Sequence, residues 1–228
     1  MTELGSAVLE LIKIQDRLRR ECPWDAKQTH ESLAPYLLEE TYEALDSLDR
    51  GDLAELRGEL GDVLLQVVFH AGVASERTDG TGFDIDDVAR GIAEKLVRRH
   101  PHVFGDVKVS GADEVRRNWD KIKAAERAAA ASASASGSGD GSPGSVLDGV
   151  PMGQPALSLV AQLQRRAAAV GVPPEASALP EDSVSELGAE LFALVSRAQA
   201  AGLNPELELR HAAGIFRDQV HAWEKQPS

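Results

Sequence analysis

Between Ala131 and Ser145 the chain reads ASASASGSGDGSPGS, a stretch with no large apolar side chain, so no hydrophobic core can run through it. Folding must therefore happen on either side of it. That composition predicts a helical domain over 1–130, a flexible Ala/Ser/Gly-rich linker over 131–150, and a second helical segment over 151–228.

Before the linker, Leu4, Val8, Leu11, Ile12 and Leu18 recur at helical spacing and predict an amphipathic helix over 3–20, ended by Cys22-Pro23-Trp24-Asp25. A second helix is expected to start with Ser32 as N-cap, which would put Pro35 in the first turn, and to run to Asp49. Gly51-Asp52 turns the chain into a third helix over 53–77, whose Val63-Leu64-Leu65 and Val67-Val68-Phe69 runs predict burial on most sides. Gly80 and Gly82 break it. Further helices are expected over 85–100, stopping at Pro101, and over 111–130. After the linker come segments near 155–170, 183–201 and 204–225. No segment alternates as a strand would, so the fold class is all-α.

The two halves resemble each other. Glu59-Leu60-Gly61-Asp62-Val63-Leu64-Leu65 aligns with Glu186-Leu187-Gly188-Ala189-Glu190-Leu191-Phe192, and Val68 and Ala71 align with Val195 and Ala198. The second copy has no acidic helix, carries Ala189 in place of Asp62, and has Ile215, Asp218 and Gln219 in place of Lys95, Arg98 and Arg99.

A net charge of −13 argues against wrapping nucleic acid, which rests on many Lys and Arg contacts to phosphates. The cations that exist are clustered at Lys95, Arg98, Arg99 and His100 and again at Arg116, Arg117, Lys121 and Lys123, a pattern suited to a small, highly charged ligand. The single cysteine, Cys22, excludes an intrachain disulfide and a multi-cysteine zinc site. No apolar run approaches the roughly eighteen residues of a membrane span. The N-terminus lacks a signal-peptide pattern, so a cytoplasmic location is expected.

The chemistry is concentrated in Glu39-Glu40-Thr41-Tyr42-Glu43 and Glu59-Leu60-Gly61-Asp62. Acids three apart on a helix point in nearly the same direction, and the Gly51 turn lets the two helices pack antiparallel, so four carboxylates can converge. An all-oxygen donor set suits a hard cation, magnesium or manganese. The bland alternative is a solvated acidic face. Against it, Glu39, Glu40, Glu43, Asp46 and Asp49 have no Lys or Arg among them, and Glu40 and Asp62 adjoin apolar stretches where an unpaired carboxylate is costly.

These residues, together with CPWDxxQTH at Cys22–His30 and KLVRRHPHVFGD at Lys95–Asp106, resemble the MazG nucleoside triphosphate pyrophosphohydrolases. The likeness is close over about 4–126 and looser beyond. It implies a four-helix-bundle core completed by dimerisation, with the C-terminal half as a degenerate repeat. It also implies Mg2+-dependent hydrolysis of NTP or dNTP to NMP or dNMP plus pyrophosphate, with Mn2+ as a substitute ion. On this likeness Glu40, Glu43, Glu59 and Asp62 match the metal ligands, and Glu39, Glu40 and Glu43 are the catalytic candidates. Which of them is the base is left open by spacing. Lys95, Arg98, Arg99, Trp119 and Lys123 match substrate-contacting positions. The expected partners are a nucleoside triphosphate and a second copy of the chain, with no nucleic-acid polymer and no membrane.

Each assignment has a plainer counterpart. The basic cluster at 95–99 also fits an ordinary helix C-terminus, Trp119 a packing residue, and Trp24 either a structural residue or a stacking face. His70 reads as a core or interface histidine rather than a ligand. The C-terminal half can itself complete the bundle in place of a second chain. A non-catalytic nucleotide- or partner-binding regulator is the alternative function.

Overall fold

The computed structural model describes residues 5–135, 145–173, 179–180 and 183–225, and every regular element among them is helical. Contacts divide the chain into two compact units, Met1–Val107 and Lys108–Ser228. The first contains α1 (Ser6–Glu21), a 3₁₀ turn (Asp25–Lys27), α2 (His30–Arg50), α3 (Leu53–Ser75), α4 (Ile85–Arg99) and the single turn α5 (Pro101–Phe104). The second contains α6 (Ala112–Ala135), α7 (Ala156–Ala169), α8 (Glu186–Ala200) and α9 (Pro205–Glu224). Among the described residues no helix is long and apolar enough to cross a membrane.

α2 begins earlier than the Ser32 cap expected from sequence. Thr29 is the N-cap: its hydroxyl accepts from the Ser32 backbone N–H at 3.3 Å, and the Ser32 hydroxyl accepts from the Thr29 N–H at 2.8 Å, closing a capping box. Ser32 is thus the return arm of the box. Pro35 consequently lies beyond the first turn, where the missing N–H leaves one helical acceptor without its usual donor. The other end of α2 is closed by Gly51, whose left-handed φ of 68° reverses the chain within two residues. Asp52 then caps α3 by accepting from the N–H groups of Ala54 and Glu55, both at 3.0 Å.

α2 and α3 pack along one another as an antiparallel hairpin, with α1 and α4 against α3. Two cross-hairpin contacts fix the register, Arg50 bonding Glu55 near the turn and His30 meeting His70 near the far end, and midway the Glu43 and Glu59 carboxylates come within 4.8 Å of each other. The core of this unit is Leu33 and Ala44 from α2 and Val68, Phe69, Ala71 and Ala74 from α3, with Gln15, Ser47 and Gln66 buried beside them. Small residues at Ala44 and Ser47 let the helices approach closely near the turn.

α3 is less enclosed than its apolar runs predict. Leu60 is 54% exposed, Leu64 36% and Val67 37%, an apolar stripe at i, i+4 and i+7 that the first unit leaves uncovered. Apolar runs report that a surface wants burial, not whether the same unit supplies the cover.

The boundary between units falls after Val107, and α6 continues to Ala135, through the first residues of the stretch read as linker. Residues 136–144 of that stretch lie outside the described residues. In the second unit α7, α8 and α9 pack mutually. Among the described residues of this unit Val195, aligned with Val68, is the most buried, at 1% exposure. Gln164 and Gln199 link α7 to α8: Gln164 Nε2 donates to the Phe192 carbonyl at 3.0 Å, and Gln199 Nε2 donates to Gln164 Oε1 at 2.8 Å.

Candidate active site

The hairpin register brings acids of both helices to one place. Glu40 and Glu43 of α2 and Glu59 of α3 each offer a carboxylate oxygen, all within 4.8 Å of one another. Oxygens on opposite sides of a six-coordinate magnesium ion stand about 4.2 Å apart, so this spacing falls within reach of one hard divalent cation with little movement. Glu40 and Glu59 are half-buried and Glu43 is exposed, which gives a site open on one side.

The electrostatics are those of mutual repulsion. Partial burial, followed by the charges of Asp62, Glu43, Glu39 and Glu59, pushes the Glu40 carboxyl above the ordinary range. Partial burial also raises Glu59, followed by the charges of Glu43, Asp62 and Glu55 and hydrogen bonding to Glu43. Asp62 stands outside the tight trio, yet its charge reaches both Glu40 and Glu59. Glu39 is solvent-exposed on the same turn of α2. A divalent cation would relieve this repulsion, and the donor chemistry fits magnesium or manganese better than zinc.

Lys95, Arg98 and Arg99 occupy the last two turns of α4 in the same unit as the acids; Lys95 and Arg98 are exposed and Arg99 is half-buried. Arg98 and Arg99 also lie where a helix C-terminus favours cations. Trp119 and Lys123, one turn apart and half-buried on α6, belong to the second unit. Cys22 is a half-buried free thiol.

Three features were not legible beforehand. His30 and His70 form a stacked pair across the hairpin, with Nδ1 atoms 2.8 Å apart. Gln15 and Gln66 are buried amides on α1 and α3. Arg19 of α1 ties the loop around Trp24 to the end of α3. No short-range signal marks any of them; only the helix pairing does.

The family model described as the MazG nucleotide pyrophosphohydrolase domain matches residues 28–104, which hold the acidic trio, Asp62 and the basic end of α4. The chain is 43% identical to an uncharacterised 26.1 kDa protein of Streptomyces cacaoi, over 96% of this chain and 84% of that one. It is 40% identical to a nucleoside triphosphate pyrophosphohydrolase of Escherichia coli K12, over 94% of this chain and 86% of that one. It is 37% identical to the nucleoside triphosphate pyrophosphohydrolase/pyrophosphatase MazG of Thermotoga maritima, over 99% and 88%. With relatives this similar over nearly their whole length, and the acids of the matched segment gathered on one hairpin, the chain belongs to the MazG nucleotide pyrophosphohydrolase family.

Proposed function

We propose that this chain hydrolyses nucleoside triphosphates, ribo or deoxy, between the α- and β-phosphates, giving a nucleoside monophosphate and pyrophosphate. The observation that carries this reading is the convergence of Glu40, Glu43 and Glu59 within 4.8 Å on a half-buried hairpin. Glu40, Glu43, Glu59 and Asp62 would hold Mg2+, with Mn2+ able to replace it. Bound there, the cation supplies charge neutralisation of the triphosphate oxygens and a lowered pKa for a coordinated water.

The chain's own residues do the rest. One carboxylate among Glu39, Glu40 and Glu43 accepts the proton of the attacking water. Lys95, Arg98 and Arg99 contact the phosphate chain, and Trp119 and Lys123 contribute a stacking face and a charge to the nucleotide. The Leu60, Leu64 and Val67 stripe supports a homodimer in which a second copy covers α3. Residues 1–130 form the catalytic domain in this reading, 131–150 a linker, and 151–228 a degenerate repeat without ligands. The setting is cytoplasmic, and neither membrane nor nucleic-acid polymer is a partner.

Incubating the full chain with mixed nucleoside triphosphates and magnesium should release pyrophosphate and not orthophosphate. Nucleotide-induced thermal stabilisation without turnover would instead favour a non-catalytic regulator. Sedimentation of the full chain tests the dimer.

A further inference from the structure

The antiparallel hairpin stacks its acids in layers. Each step of three along α2, from Glu40 to Glu43 to Asp46, is matched by a step of three or four back along α3, from Asp62 to Glu59 to Glu55. Facing acids therefore advance together toward the Gly51 turn, by about 4.5–6 Å a step. The contacts follow this register. The charge of Asp62 reaches Glu40, Glu43 and Glu59 bring carboxylate oxygens within 4.8 Å of each other, and Asp46 and Glu55 share one guanidinium, that of Arg50.

The layers differ in what neutralises them. Glu40, Glu43, Glu59 and Asp62 make no ion pair among the described residues. In the layer nearest the turn, Arg50 Nη1 stands 3.3 Å from Asp46 Oδ2, and Arg50 Nη2 bonds Glu55 Oε2. That layer carries its own cation.

Arginine suits this place. Its flat fork of donors reaches carboxylates on two helices at once, and its charge persists at any working pH. Asp46, Glu55 and Arg50 are all exposed, so a hydrated ion has access to them. Glu55 is also near enough for its charge to reach Glu59, which makes the acidic column continuous. Without the guanidinium, Asp46 and Glu55 would offer a hard cation the same facing pair of carboxylates that Glu43 and Glu59 offer.

We propose that Arg50 plugs the acidic column: its guanidinium fills the Asp46–Glu55 layer and confines the divalent cation to Glu40, Glu43, Glu59 and Asp62. Arg50 is a positioning residue, acting through the location of the ion and not on substrate. The inference rests on the metal-site reading of those four acids. A pair of ordinary surface ion pairs would add a little stability and leave cation binding untouched, so the number of bound ions separates the two roles.

The test uses the full chain and Mn2+, whose free-ion paramagnetic resonance signal falls as it binds. Arg50→Gln should bind one more Mn2+ per chain than the wild type, and Arg50→Met replaces it should glutamine impair folding. Arg50→Lys, which restores the charge, should return the count to the wild-type value. Arg50→Gln combined with Glu55→Gln, which dismantles the layer, should do the same. Equal counts in the wild type and Arg50→Gln, a further ion retained in the double variant, or one gained by Arg50→Lys would overturn the plug. The metal reading fails separately. If the wild type binds no Mn2+ while Arg50→Gln binds one that the double variant loses, the plug stands and the four-acid site falls; if neither chain binds the ion, both fall.

Discussion

His30 at the start of α2 and His70 near the end of α3 stack almost parallel, 4° between planes, with their Nδ1 atoms 2.8 Å apart. One ring must donate at Nδ1 and the other accept. His70 Nε2 is buried without a protein partner, and a buried bare lone pair is better tolerated there than a buried N–H. The favoured arrangement is therefore His70 Nδ1–H donating to His30 Nδ1.

Burial, and then the proximity of His30, holds the His70 pKa below the ordinary histidine value. The folded state thus resists a proton that the unfolded state accepts. The stability associated with neutral His70 is fully present above about pH 6.5. It is lost as pH falls from there through the lowered folded pKa. In urea melts between pH 8 and 5, the wild-type stability should fall more steeply than that of His70→Phe, by a slope equivalent to about one proton. Parallel pH profiles would show that His70 does not take up a proton on unfolding.

The acidic trio predicts the opposite sign. Glu40 and Glu59 have raised folded pKa values, so their contribution is present below the ordinary glutamate range and lost as pH rises through the folded values. Without metal at pH 7, Glu40→Gln should raise the melting temperature by about 1–3 °C. Magnesium at about a hundred times its dissociation constant should stabilise the wild-type chain by about 2.7 kcal/mol. That gain should shrink in Glu40→Gln. Because binding displaces protons, calorimetry should show magnesium affinity rising with pH above the usual glutamate range. Affinity independent of pH would argue against these carboxylates as the ligands.

Activity should follow the same residues. Glu43→Ala, Glu59→Ala and Asp62→Ala should each lower pyrophosphate release by about 100-fold or more. Asp62 separates two arrangements, since it stands outside the trio in the structure. If Asp62→Ala keeps near wild-type turnover while the other two lose it, the ion is held by the three glutamates alone.

How far the sequence reached depends on the range of the interactions. Gly51, Asp52 and Pro101 act within a turn, and the elements they delimit were legible. The three-residue spacing of Glu40 and Glu43 sufficed to place them on one face; meeting Glu59 needed only a short turn. The start of α2 was misread because Thr29 and Ser32 are both capping residues, and the reciprocal bond between them decides which is the cap. The apolar run of α3 was read as enclosed because hydropathy does not distinguish cover from the same unit and cover from another. His30 with His70, and Gln15 with Gln66, are brought together only by helix pairing, and nothing local announces them.

Arg19 shows how a single cation fixes the loop that carries Trp24. Its side chain is 8% exposed, while that of its partner Glu76 is 54% exposed. It donates to Glu76 through Nε at 2.9 Å and Nη2 at 2.6 Å, to the Gln28 carbonyl at 3.1 Å and to the Asp25 carbonyl, and its guanidinium sits 5.7 Å from the Phe69 ring centre. The two partners should not be equivalent. Losing Glu76 leaves a cation that still bonds two carbonyls, and Glu76→Gln should cost about 0.5–1 kcal/mol. Losing Arg19 strips both carbonyls and the ring contact at once, so Arg19→Met should cost about 2–4 kcal/mol. Urea denaturation of the two variants measures the difference. Equal costs would mean that the ion pair, rather than the carbonyl contacts, anchors the loop.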